Sequence, residues 1–294
     1  MSAQLFEAVA PAPPGALTLL RRRLARDPLA MLGLTLVAIV VFCGIFAPWI
    51  VPYDPFKLNI PDKLQPPSLA HWFGTDNLGR DIFSRIIMGS RIALSVGIST
   101  IGIALCIGIS LGLIAGYGPR WLDNLLMLLF DSIYSFPTVI MGLTVATLLG
   151  ASVTTLMFVV ILVQTPAYAR LTRTATLSLK NSEYVQAIRS LGASPLRIIA
   201  IHILPNVVGP LLIIASMDIP SVVALEAGLT YLGMGIPPPA PSWGRILQEG
   251  YTLIREAPWI VVAGGIPLII TTLGFTFLGE SLRDMLDPRL RRIV

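Results

Sequence analysis

The chain has 294 residues, 54% of them hydrophobic and 13% charged, with a mean hydropathy of +0.78 and a net charge of +5. A soluble domain carries roughly 25% charged residues, so this chain cannot cover a water-facing surface and reads as an integral membrane protein. The positive charge is no sign of nucleic acid, because membrane orientation accounts for the basic residues.

The expected architecture is all-α with six transmembrane helices. Residues 1–28 form a cytoplasmic tail, Ala/Pro-rich and disordered over 1–20, closing on Arg21, Arg22, Arg23 and Arg26. The uncharged run from Pro28 to Pro52 is longer than the ~7–15-residue core of a signal peptide. It can cross ~30 Å of hydrocarbon and is taken as the first transmembrane helix, 29–51. Residues 52–90 make an external loop. In it Asp81 and Arg85, four apart, are expected to pair on one helical face. Ile82, Phe83, Ile86 and Ile87 suggest an interfacial helix leading into the membrane.

Residues 91–281 hold the other five helices, and 282–294 a cytoplasmic tail. No charge lies between Arg91 and Arg120. Gly108, Gly112 and Gly116 recur every four residues there, which lets another helix approach closely. Gly108 to Gly112 also matches a nucleophile elbow, but that motif needs a strand–turn–helix context and this is a continuous apolar helix. The third span covers 122–149 and the fourth 154–177, with kinks expected at Pro137 and Pro166. The fifth runs from Pro205 to about Ala224 and carries Asp218, whose carboxylate must face a cavity or a partner. It either lines the translocation path or is held near the outer end by hydrogen bonds, the reading that Glu226 eight residues on favours. Asp218 and Glu226 are the candidates for the translocation pathway. Four prolines from Pro237 to Pro241 exclude regular structure before the sixth span, 257–279.

The most polar island is 181–206. Ser182 is placed to cap a helix, Glu183 to favour its positive end, and Arg189 its negative end. Gly192 supplies a left-handed stop, and Ser194-Pro195 starts a second helix that should break or kink before Pro205. Tyr184, Ala187, Ile188 and Leu191 form a stripe suited to a groove on another protein.

Glu183, Ala187, Gly192-Ala193, Ile198-Ile199 and Leu204-Pro205 together resemble the cytoplasmic "EAA" loop of ABC-importer permeases. The match departs at Tyr184, Val185 and Ile188. Residues 74–85 (GTDNLGRDIFSR), 227–244 (AGLTYLGMGIPPPAPSWG) and 279–292 (GESLRDMLDPRLRR) resemble, in the same order, segments of dipeptide/oligopeptide permease subunits. The resemblance implies the transmembrane domain of a type I ABC importer, as the second permease subunit of the dipeptide/oligopeptide/nickel group. It implies a homologous permease as heterodimer partner, two ATPase subunits that hold ATP and Mg, and an external solute-binding protein. On it, Glu183, Tyr184, Ala187, Ile188, Leu191, Gly192 and Ala193 would couple to the ATPase. Asp76, Arg80, Asp81 and Trp243 are its candidates for docking the binding protein. Peptides, glutathione, nickel and opine-like solutes are all carried by such permeases.

The residues themselves exclude other chemistry. None of the three lysines follows a glycine, so no phosphate-binding loop can occur and ATP hydrolysis is not expected of this chain. Cys43, Cys106, His71 and His202 show no zinc-ligand spacing, and both cysteines lie in apolar runs where no disulfide is expected. A membrane-embedded enzyme would need paired catalytic groups at one depth, and the acids are scattered. A secondary transporter or channel remains the rival, though no internal repeat supports it. With both termini inside, the cytoplasmic segments hold Arg21, Arg22, Arg23, Arg26, Arg120, Arg170, Arg173, Lys180, Arg189, Arg197, Arg283, Arg289, Arg291 and Arg292. That leaves Lys57, Lys63, Arg80, Arg85, Arg91, Arg245 and Arg255 outside, a bias that agrees with the positive-inside rule.

Overall fold

The computed structural model describes residues 27–286; the arginines at 21–26 and 289–292, with the outer parts of both tails, lie outside the described residues. Helix α1 spans Pro28–Ile50. Asp27 caps it by accepting from the Leu29 N–H at 3.0 Å, with proline in the first turn where its missing N–H costs nothing. Irregular chain follows to Asp81, whose carboxylate accepts from the Ser84 N–H at 2.8 Å and starts α2, Ile82–Tyr117. No proline interrupts the 36 residues of α2, which at ~1.5 Å per residue is more than one membrane thickness. The separate interfacial helix expected before Arg91 is therefore the first two turns of this span.

Next come α3 (Arg120–Tyr134) and α4 (Thr138–Leu149), bent by 86° where a single kinked span was expected. Pro137 lacks an N–H and pushes Phe136 away from helical geometry, so the turn breaks outright. Helix α5 (Val153–Lys180) starts at Ser152, whose hydroxyl accepts from the Thr155 N–H at 3.0 Å, and passes Pro166 unbroken. After α6 (Glu183–Ser190) and α7 (Pro195–Arg197), a π-helical stretch (Ile198–Ile203) runs directly into α8 (Leu204–Tyr231). The break or kink expected before Pro205 takes the form of this π-helical distortion, and the chain stays helical through it. The wider π turn accommodates a residue that cannot donate to the ordinary ladder.

Helix α8 runs seven residues beyond the expected end at Ala224, α9 (Trp243–Thr252) stands inside the expected external loop, and α10 covers Trp259–Leu286. The last continues into what was read as tail. By length and composition α1, α2, α5, Pro195–Tyr231 and α10 can each cross a membrane, and the bent α3–α4 pair makes a sixth if counted as one span.

The tightest seam joins α2 to α5. A Cβ built on Gly108 would lie 2.6 Å from the Tyr168 Cβ, one on Gly112 2.5 Å from the Ala169 carbonyl, and one on Gly116 2.7 Å from the Thr176 Cβ. The glycine spacing thus does what it was expected to do, and the elbow-like motif is part of a helix contact. At the far end of this seam the Lys180 ammonium donates to the Tyr117 carbonyl at 3.0 Å, tying the end of α5 to the end of α2. Helix α1 packs on α10, where Ser281 donates to the Asp27 carboxylate at 2.6 Å. The start of the first span and the end of the last therefore share one end of the bundle.

Candidate functional site

The hairpin is built from opposed faces. Val185 is buried and joins Ile198, Ile203 and Val207 in the main apolar cluster of α2, α5 and α8. Ile188 and Ala193 pack half-buried against the same cluster. Tyr184, Ala187 and Leu191 are exposed, Leu191 to 88%, and Leu196 of α7 is 79% exposed. The expected stripe therefore divides: Ile188 faces the protein's own core, while Ala187 and Leu191 face away. Tyr184 lies across the hairpin, its hydroxyl donating to the His202 carbonyl at 3.4 Å and its ring partly exposed.

Local chemistry sets the turn. The Gly192 N–H donates to the Arg189 carbonyl at 3.0 Å and the Ala193 N–H to the Ile188 carbonyl at 3.4 Å, a Schellman pair. It places Gly192 at φ +85°, and nothing lies within 4 Å of a Cβ built there. The constraint at Gly192 is conformational, since the space is open. Ser194 caps α7 by accepting from the Arg197 N–H at 3.4 Å. Ser182 does not cap α6 with its side chain; its hydroxyl donates back to the Leu179 carbonyl at 2.6 Å. Glu183 lies in the first turn of α6 and Arg189 in its last, as the helix dipole favours.

Asp218 sits half-buried at the middle of α8, where its carboxylate accepts from the Tyr168 hydroxyl of α5 at 2.8 Å. Glu226 is different. It is 1% exposed, and one carboxylate oxygen accepts from Thr230 and Ser242, both at 2.9 Å. Those bonds hold the loop before α9 against α8. Glu226 does not line an open path in this chain, because its neighbours enclose it on all sides, although only one of its two oxygens is bonded among the described residues.

The four side chains expected to dock a binding protein are all buried: Asp76, Arg80, Asp81 and Trp243. Asp76 accepts from the Arg80 Nε at 2.7 Å and from the Arg85 Nη1 at 2.5 Å. Arg85 also reaches Glu249 of α9 at 2.6 Å, and Arg245 reaches the same carboxylate at 3.3 Å. Asp81 is occupied by the Ser84 hydroxyl at 2.7 Å and the His71 Nδ1 at 2.9 Å, so the expected Asp81–Arg85 pair does not form. As the residue before α2, Asp81 satisfies open N–H groups while Arg85 turns toward α9. Trp243 donates to the Ile86 carbonyl at 3.0 Å. These side chains bind the loop before α2 to α9 and are enclosed within the chain, so they are not free to meet another protein as the expectation required.

Comparison with known proteins decides the family. Residues 108–292 match the family described as "Binding-protein-dependent transport system inner membrane component", and residues 17–67 the "N-terminal TM domain of oligopeptide transport permease C". The chain belongs to this binding-protein-dependent permease family. The permease is 37% identical to the "Dipeptide transport system permease protein DppC" of Alkalihalophilus pseudofirmus, over 92% of this chain and 89% of that one. It is 39% identical to the "Glutathione transport system permease protein GsiD" of Escherichia coli O157:H7, again over 92% and 89%. In fold it resembles an inward-facing structure of the MetNI methionine ABC transporter, with a TM-score of 0.56 at 18% identity over 68% of this chain and 96% of that one. The permease is thus a multi-pass membrane component of a transport system that works with a solute-binding protein.

Two residues that organise these regions of the permease went unseen in its sequence. Glu249 is the acid that joins Arg80, Arg85 and Arg245, and its only local cue is Arg245 four residues earlier. Burial pushes the Glu249 carboxyl up, but the hydrogen bonds from Arg85 and the charges of Arg85, Arg80 and Arg245 outweigh it and hold the carboxyl below its ordinary value. Val185, the anchor of the hairpin, lies between stripe positions and carries no signal of its own.

Proposed function

We propose that this permease is one of two related membrane subunits of an ATP-driven importer that takes up dipeptides, oligopeptides or glutathione-like peptides. ATP and Mg belong to two separate ATPase subunits; this chain supplies half of the pathway and no hydrolysis. Both termini lie in the cytoplasm of a bacterial cell, with the hairpin at 181–206 on the same side. The Asp27–Ser281 bond, which joins the two ends of the described chain, supports an even number of crossings.

The observation that carries the reading is the outward apolar face of that hairpin, Tyr184, Ala187, Leu191 and Leu196, rooted in the core through Val185. Such a face on a rigid root suits a groove on a moving partner. When nucleotide closes the ATPase pair, the hairpin moves with it and shifts the spans between two arrangements. Docking of the loaded binding protein falls to exposed apolar residues of the outer loops, among them Leu69 and Trp72. The substrate class is that of the DppC and GsiD relatives.

The test is a Gly192→Val, Glu183→Lys double variant of the reconstituted complex. A β-branched residue at φ +85° costs about 1–3 kcal/mol locally and distorts the turn. The complex is expected to assemble yet to lose both binding-protein-stimulated ATP hydrolysis and uptake. Normal uptake would show that this hairpin does not transmit the ATPase motion.

A further inference from the structure

We infer that Asp218, with Gln164 and Thr138 above it, forms the station in the pathway that holds the α-ammonium and first peptide group of the transported peptide. The inference rests on the peptide reading above and adds which chemistry of the substrate this chain recognises.

Asp218 stands about 20 Å from either end of α8, counted at ~1.5 Å per residue. A carboxylate at that depth costs about 2.5–3.5 kcal/mol on insertion scales unless something meets it. Among the described residues Tyr168 gives one hydrogen bond, to Oδ2, and no donor reaches Oδ1. No cation pairs with Asp218 either: Arg170 is engaged with Asp131 at 2.6 Å, and Arg173 with Asp123. A half-buried acid with one satisfied oxygen is poised for a positive ligand.

The space beside it has matching chemistry. A cavity of about 240 Å³, open on one side, lies where α4, α5 and α8 meet. Thr138, Gln164 and Ser221 line it with Val160, Val163, Val222 and Leu225, and Asp218 stands a turn outside this lining. Ser221 and Val222 stand three and four residues from Asp218, and Gln164 stands four from Tyr168. At those spacings the helix neighbours share a face, so cavity and carboxylate lie along one seam. The side chains of Gln164 and Thr138 make no hydrogen bond among the described residues, while the neighbouring Ser221 hydroxyl is bonded to the Asp218 carbonyl at 2.7 Å. An amide and a hydroxyl left open between apolar walls suit a peptide group, and the acid one turn away suits its ammonium.

The experiment uses the complete importer with its binding protein in proteoliposomes. Radiolabelled dialanine and glutathione are the probes, and peptide moved per ATP hydrolysed is the readout. In Asp218→Asn, ATP hydrolysis stimulated by the loaded binding protein is expected to persist while peptide per ATP falls about 10-fold or more, the size of a charge-assisted hydrogen bond. Asp218→Glu should recover most of that loss. Gln164→Ala, which leaves the Tyr168–Asp218 bond intact, should lower the ratio a few-fold, and it carries the test if the charge variant does not assemble. An unchanged ratio in either variant that assembles overturns the inference. So does a parallel loss of hydrolysis and uptake, which would make Asp218 a packing or coupling residue. If the wild-type complex moves neither probe, nor radiolabelled pentaalanine, the peptide reading itself fails and the inference falls with it. That failure appears before any variant is compared.

Discussion

The hairpin at 181–206 and the ion-paired outer cap stand at opposite ends of α2, and they treat polar and apolar surface in opposite ways. The cap buries its charges: Asp76, Arg80 and Arg85 are almost wholly enclosed, and the two arginines join Asp76 to Glu249 of a helix more than 160 residues away. The hairpin exposes its oil: Leu191 and Leu196 project from short helices held by one Schellman turn and one serine cap. One region closes its polar groups within this chain, and the other leaves apolar side chains uncovered, as the proposed ATPase docking requires. Substitutions should therefore separate the two, stability responding at the cap and assembly at the hairpin.

The largest effect is expected from Arg85→Met. It removes the cation shared by Asp76 and Glu249, leaving two carboxylates in a buried site with only Arg80 and Arg245 to balance them. Breaking a buried pair from one side costs about 3–5 kcal/mol, so thermal unfolding in detergent should shift further than for any hairpin variant. A melting temperature within a degree of wild type would mean that the cap is no unit of stability.

Next in size is Gly112→Val, on the seam that joins the two ends. Its Cβ would meet the Ala169 carbonyl and the Thr172 Cβ, each at 2.5 Å, and backbone cannot step aside as a flexible side chain can. Overpacking of that kind costs about 1–3 kcal/mol. Melting should fall and, because α2 and α5 must separate, so should uptake; Gly102→Val, with nothing within 4 Å of its Cβ, is the matched control.

A smaller effect is expected with pH. The neighbouring arginines hold the Glu249 carboxyl below its ordinary 4.5, so below that pH the unfolded chain takes up a proton before the folded cap does. The stability Glu249 contributes is complete above about pH 5 and is lost as pH falls through its depressed value. Glu249→Gln should flatten that acid limb of the melting profile; an unaltered limb would show that other carboxylates set it.

What the sequence disclosed follows the range of the interactions. The apolar spans, the glycine seam and the Gly192 turn are local or periodic, and each was legible from spacing alone. The cap was not. Asp81 and Arg85 satisfy the i,i+4 rule, yet Arg85 pairs instead with Asp76 and with Glu249, which no window around residue 85 contains. The same limit hid the inward role of Val185, whose partners Ile198 and Ile203 lie across the turn. Extended helices were missed for a related reason: prolines at 205 and 220 lie inside or beside α8 without ending it, because a π stretch and tertiary packing absorb the lost bonds.

The smallest effect on stability, and the sharpest test of the contrast, comes from Leu191→Glu. Leu191 closes α6 with its backbone, donating to the Ala187 carbonyl at 3.1 Å, while its side chain touches little of its own protein. A change confined to an exposed side chain is worth about 0.5 kcal/mol or less, so the melting temperature of the isolated chain should hold. In the complex the same carboxylate would have to enter an apolar groove without a partner, which costs several times more than the exposed change. Co-purification with the ATPase subunit should then weaken while melting of the isolated permease does not, the reverse of Arg85→Met. If both variants shift melting and assembly together, the two ends are one cooperative unit and the division of labour drawn from their surfaces does not hold.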